Sequence, residues 1–87
     1  MNKFIKVVGK TPENRLVVSG VFKLFETTGL PLEIIVDELW EKGYVPSWED
    51  FYKEAEAAGV GHRSIMIRIQ EGVSILKRKE IKNDSDS

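Results

Sequence analysis

Glycine and proline divide this chain into four segments whose apolar residues recur at the three-to-four spacing of a helix that faces a core. The divisions fall at Thr11-Pro12, at Gly29 with Pro31, at Gly43 with Pro46, and at Gly59. Proline is favoured in the first turn of a helix and glycine just after the last turn. We therefore expect an all-α fold, a compact bundle of about four helices.

The chain length bounds the domain organisation. With 87 residues and no cysteine, the chain has room for one domain, and it can form neither a disulfide framework nor a thiolate zinc site. We expect an N-terminal arm (1–11), a single helical domain (12–82) and a polar, disordered tail (83–87). The first ten residues are too few and too charged for a signal peptide or membrane span, so we expect a cytoplasmic protein without a membrane partner.

The N-terminal third allows two interpretations. In the first, Thr11 caps a helix that has Pro12 at its first position, and apolar residues follow at helical spacing. In the second, a short strand at Phe4–Val8 pairs with Leu16–Val18 as a hairpin across the Lys10–Asn14 turn, and the helix begins only near Gly20. The first interpretation, with residues 1–11 as an arm, is preferred, and the hairpin with its short N-terminal strand is kept as the alternative.

Clearer signals place the other three helices. Pro31 suits the first turn of a second helix that Gly43 ends, and Ser47, with an acid three residues later, suits the N-cap of a third. The third helix should end at Ala58-Gly59. A fourth helix should begin near His62 or Arg63 and run toward Lys79.

Residues 51–72 carry a spacing that resembles the helix-turn-helix of phage repressors of the Cro type. In that family a small residue in the first helix allows a close crossing, which Ala55 provides, and a glycine four residues later makes a left-handed turn, which Gly59 provides. Val60 suits the apolar anchor of the turn, and Ile65 suits the position that packs back on the first helix. Ile69 lies one residue beyond the next such position.

The resemblance implies that the helix starting near His62 lies in the major groove of double-stranded DNA. Arg63 would contact guanine and Gln70 adenine. Arg68 departs from the family pattern, since that position is usually apolar and faces inward. Ile67 would touch thymine methyl groups, join a protein interface or widen the buried stripe. The predicted DNA-binding residues are His62, Arg63, Ser64, Ile67, Arg68, Gln70, Lys77, Arg78 and Lys79.

Charge is segregated along the chain, although its net value is −1. Residues 21–60 hold three lysines against nine acids, whereas residues 61–79 hold five cations against Glu71 alone. This pattern favours a sequence-specific DNA-binding regulator, transcriptional in role, that acts as a dimer. We expect the dimer seam either around Trp40, Tyr44 and Val45 or around Ile67 and Ile75. The alternative is a small interaction module that binds a protein partner through its acidic middle.

No residue pattern points to catalysis. His62 is the sole histidine, there is no cysteine, and Gly59-Val60-Gly61 lacks the strand, lysine and third glycine of nucleotide-binding loops. The acids of the middle segment fall at spacings typical of solvated helix faces. We therefore expect a protein that is not an enzyme and that has no cofactor or metal site.

Overall fold

The computed structural model describes the backbone of residues 3–86 and the side chains of residues 3–81. In chain order the elements are β1 (Lys6–Lys10), β2 (Leu16–Ser19), α1 (Val21–Thr28), α2 (Leu32–Glu41), β3 (Tyr44–Pro46), α3 (Trp48–Ala57) and α4 (His62–Asp86). The prediction of an all-α bundle is wrong, because the described part of the chain joins a three-stranded mixed sheet to its four helices. The fold is α/β.

A hairpin occupies the segment where the preferred interpretation places the first helix. The N–H of Thr11 donates to the carbonyl of Arg15 at 2.8 Å, and Asn14 has a left-handed φ of 70°. Proline and asparagine suit this tight turn as well as they suit a helix start, and the β-branched residues that follow favour a strand. The helix predicted from Thr11 is therefore wrong. The hairpin alternative is confirmed in its pairing, although its first strand is Lys6–Lys10 and not Phe4–Val8, and α1 begins at Val21.

The strand β3 lies in a segment predicted to be a connection. It runs parallel to β2, pairing Val17 with Val45 and Val18 with Pro46. The chain returns to the sheet through α1 and α2, which is the kind of long crossover that parallel pairing requires. The sheet order is β1-β2-β3, so β2 is its central strand.

The later helices begin where the proline, serine and glycine signals predict. The helix α2 starts directly after Pro31, and the hydroxyl of Ser47 accepts from the N–H of Asp50 at the start of α3. The helix α4 begins at His62, as predicted, but its backbone continues beyond Lys79 to Asp86, into the segment predicted as a disordered tail. Met1, Asn2 and Ser87 lie outside the described residues.

One apolar core joins all four helices to the sheet. Its buried members come from every helix and from β2: Val18, Val21, Phe22, Leu24, Leu32, Ile35, Val36, Leu39, Phe51, Ala55, Ile65 and Ile75. Phe22 meets Phe51 edge to face with ring centroids 5.4 Å apart, a favoured aromatic geometry. The strand β1 contributes nothing to this core, because all five of its residues are exposed.

Most residues of the two predicted dimer seams are buried or covered in the structure. Tyr44 and Val45 are half-buried in the sheet. The guanidinium of Arg15 covers the ring of Trp40 at 3.3 Å from its centroid. Ile75 is 4% exposed and belongs to the core. Ile67 alone among these apolar residues is largely open to solvent, at 58%.

Candidate nucleic-acid interface

A tight corner joins α3 to α4. The N–H of Val60 donates to the carbonyl of Ala55 at 3.1 Å, and the N–H of Gly59 donates to that of Glu56 at 3.0 Å. This pair of bonds is the Schellman arrangement, which closes a helix through one left-handed residue. Gly59 is that residue, with a φ of 90°. Space is not its constraint, since an added Cβ would meet no described atom within 4 Å.

Buried anchors hold the two helices at this corner. Ala55 and Ile65 are each 1% exposed, and Val60 packs half-buried against the core. The four positions that carry the resemblance thus all lie in the corner. A small residue, a glycine and apolar anchors are what any two helices need to meet closely, with or without DNA.

Further along, α4 crosses the start of α3 at Gly72. The indole of Trp48 lies directly over this buried glycine, and a Cβ placed there would clash with the ring carbon Cη2. Trp48 in turn packs edge-on against Phe51, with centroids 5.5 Å apart. This contact was not predicted from the sequence, although a glycine inside a helical pattern commonly has a packing reason.

The buried crossing defines two faces of α4. The inner face consists of Ile65, Ile69, Gly72, Ile75 and Leu76, all buried or partly buried against the core. The outer face consists of Arg63, Ile67, Gln70, Ser74, Lys77 and Arg78, all exposed. At about 100° per residue, the outer residues fall within a sector of about 100°.

The outer face is basic along its length. It holds three cations and no carboxylate, and at 1.5 Å per residue it extends for about 22 Å from Arg63 to Arg78. Glu71 lies at its border, where its carboxylate pairs with the guanidinium of Arg68 at 3.4 Å. An exposed amide, Gln70, lies between cations, so the face presents hydrogen-bond donors suited to phosphates and to base edges.

Five of the nine predicted site residues lie on this outer face, and four lie elsewhere. Arg68 leans toward α1, with its guanidinium carbon 5.6 Å from the ring centroid of Phe25. Ser64 and Arg68 line a groove of about 260 Å³ with Phe22, Phe25 and Val60. Lys79 forms an ion pair with Asp37 on α2. Ser64, Arg68 and Lys79 therefore flank the core contacts and do not extend the outer face.

His62 joins the two helices of the corner. Its Nδ1 and the hydroxyl of Tyr52 on α3 share a hydrogen bond of 2.8 Å, and the two rings meet edge to face with centroids 5.6 Å apart. Both groups are near the surface. The sequence did not predict this contact, because nothing in local spacing shows which ring a histidine will meet.

Several carboxylates of the acidic middle of the chain, residues 21–60, already have partners within the fold. Asp37 pairs with Lys79, Asp50 belongs to the cap of α3, and the carboxylate of Glu54 accepts from the N–H of Gly20 at 2.9 Å. Among the other acids of this segment, Glu33, Glu38 and Glu41 are exposed on α2. Ile34 of the same helix is 44% exposed.

Within the described residues, no three histidine or carboxylate side chains lie together as metal ligands would. No helix among them combines the length and apolar character needed to cross a bilayer.

Fold and site together define a small α/β domain with a helical corner and an exposed basic helix face. No protein-family model matches this chain, and no solved structure matches it. Over 54 residues, 62% of its length, the chain is 35% identical to an alanine-tRNA ligase from Natranaerobius thermophilus. It spans only 6% of that ligase. A match to so small a part of another protein does not define a family for this chain.

Proposed function

We propose that this chain is a sequence-specific DNA-binding regulator of transcription that reads duplex DNA through the outer face of α4. One observation carries the proposal. Starting at a corner with helix-turn-helix spacing, α4 presents Arg63, Gln70, Lys77 and Arg78 on one exposed face without a carboxylate. Cations supply the phosphate contacts of such proteins, while arginine and glutamine side chains suit guanine and adenine edges.

The N-terminal turn of α4 is part of the proposed site. His62, Arg63 and Ser64 are all exposed, so this turn, whose N–H groups have no acceptor within the helix, lies at the surface. The positive end of a helix favours phosphate, and recognition helices commonly contact DNA through their first residues. Arg63 acts as the base contact in this proposal, while Lys77 and Arg78 hold the backbone farther along.

Dimerisation belongs to the same proposal. One protomer offers few base contacts, so two protomers on half-sites about 34 Å apart would supply the affinity that regulation needs. The expected result is a two-fold symmetric binding site in a selection from random duplexes. Sedimentation of the protein with that duplex should give two protomers per site.

The direct test is fluorescence anisotropy with labelled duplex DNA at several salt concentrations. Arg63→Ala should weaken binding to the selected site by about 1–3 kcal/mol. Lys77→Ala should weaken binding to all DNA sequences alike. It should also lower the slope of log affinity against log salt concentration by about 1. Arg68→Ala is the matched control, since this arginine of the same helix leans onto Phe25 and pairs with Glu71. Failure to retain any duplex at about 50 mM salt would refute the proposal.

A second candidate function is protein binding through the acidic face of α2, formed by Glu33, Ile34, Glu38 and Glu41. Its support is an exposed isoleucine on a helix that also exposes three glutamates, a combination suited to a basic, partly apolar partner. Binding of an amphipathic lysine-leucine peptide should then be lost in the triple variant Glu33→Gln, Glu38→Gln, Glu41→Gln and kept in Arg63→Ala. The opposite pattern would exclude this face.

A further inference from the structure

The two edges of the sheet differ in how far the rest of the chain covers them. The edge strand β3 is partly to fully buried. The opposite edge strand β1 is exposed at every residue, with Val7 and Val8 each 50% exposed. It pairs with β2 alone, and nothing else in the described part of the chain pairs with its outer edge. An uncovered edge presents N–H and C=O groups that can bind another strand.

The charge of this edge indicates what could pair with it. Lys6 and Lys10 lie at the two ends of β1, and residues 3–12 contain no carboxylate. An irregularity between Val7 and Gly9 shifts the register, so that Lys6 lies opposite Ser19 and Lys10 opposite Leu16. Because these β2 partners are an odd number of residues apart, the two lysines lie on opposite faces of the sheet. The edge is therefore basic on both of its faces.

These features argue against a second copy of the chain as the occupant. Pairing β1 with β1 of another protomer would bring four lysines into one ladder without a carboxylate, and like charges across strands are destabilising. Lysines at an edge are a common protection against such self-association. The same lysines attract a strand that carries acids.

We propose that β1 is a docking edge for an extended acidic segment of a partner protein, which adds to the sheet as a fourth strand. Main-chain hydrogen bonds to β1 supply the part of the affinity that does not depend on the partner's sequence, as in other cases of strand addition. Carboxylates on either face of the added strand pair with Lys6 and Lys10. Apolar side chains between them cover Val7 and Val8. This surface is separate from the outer face of α4.

The test uses the full chain and two fluorescein-labelled seven-residue peptides, one alternating glutamate with valine and one alternating lysine with valine. The acidic peptide should bind and shift the amide NMR signals of residues 6–10. The double variant Lys6→Glu, Lys10→Glu should weaken the acidic peptide by about tenfold or more and gain affinity for the lysine peptide. The control variant Lys42→Glu, Lys53→Glu makes the same change of charge at exposed lysines of other elements. This control variant should bind the acidic peptide with an affinity within about twofold of that of the wild-type chain.

Three results would overturn the proposal. The first is equal binding of both peptides by the wild-type chain, or no binding at about 1 mM peptide. The second is protection of the β1 amides by a concentration-dependent dimer in the absence of peptide. The third is loss of duplex DNA binding in the double variant without any effect on the peptides, which would make β1 a nucleic-acid contact. Cooperative urea unfolding of each variant confirms that it is folded.

Discussion

The inner and outer faces of α4 differ in burial, packing and charge, although residues of the two faces alternate along one helix. The inner face carries Ile65 and Ile75, both buried, and a glycine so closely covered by Trp48 that no side chain fits. The outer face carries Arg63, Lys77 and other exposed side chains. The inner face contributes stability, and its packing determines which residues the outer face presents to a partner.

The largest expected effect compares two isoleucines of this helix that differ in burial. Ile65→Ala removes a side chain that is 1% exposed, so it should lower the free energy of unfolding by about 3–4 kcal/mol through lost burial and a cavity. Ile67→Ala removes the same atoms from a site that is 58% exposed and should cost less than about 0.5 kcal/mol. Urea unfolding of both variants measures the contrast. Equal losses would show that the faces are assigned wrongly.

The crossing of Trp48 over Gly72 should give the next largest effect. Gly72→Ala gains helix propensity of about 1 kcal/mol but forces the indole to move, so a net loss of about 1–3 kcal/mol is expected. Adding Trp48→Leu should relieve the clash, so the double variant should lose less than the sum of the single changes. Additive losses in this double-mutant cycle would mean that the two residues do not meet.

The corner that precedes both faces depends on the left-handed backbone at Gly59. Gly59→Ala should cost about 1–2 kcal/mol, because a Cβ is strained at this φ. Gly59→Asn should cost less, because asparagine tolerates the left-handed region. Thermal unfolding monitored by circular dichroism ranks the two. A harmless alanine would show that the corner does not need a left-handed residue.

The smallest effect concerns two lysines of α4, one that pairs with α2 and one that lies on the outer face. Lys79 pairs with Asp37 and its side chain is 24% exposed, so Lys79→Met should lose about 0.5 kcal/mol at low salt and nothing at high salt. Lys77 lies on the outer face, and Lys77→Met should change stability at neither salt concentration. Unfolding at about 20 mM and 500 mM salt tests this difference. A salt-dependent loss in Lys77→Met would contradict it.

Local sequence signals predicted most of the helices correctly. They failed where the same residues are compatible with two kinds of secondary structure. The glycine and proline positions around α2 and the serine cap of α3 act within a few residues, so they could be recognised without tertiary information. The Thr11-Pro12 pair fits both a helix start and a turn. Which one forms depends on the pairing of β1 with β2, a contact between distant residues.

The candidate site divides in the same way. Helical spacing alone places Arg63, Ile67 and Gln70 on one side of α4, opposite Ile65. It could not show that Arg68 would lean onto Phe25 or that Lys79 would pair with Asp37, because both partners come from other elements. Nor could it identify Tyr52 as the partner of His62.

The amino-acid sequence by itself determined where α2, α3 and α4 begin, and the left-handed corner at Gly59, because caps and glycines act on the backbone beside them. Only the tertiary structure decided that Tyr44–Pro46 would become a strand, since three residues cannot form a stable strand until Val17 and its neighbours pair with them. Tertiary packing also decided which cations of α4 take partners from other elements, since Arg68 leans onto Phe25 and Lys79 pairs with Asp37. These partners depend on which elements the fold brings beside the helix, and that is not set by neighbours in sequence.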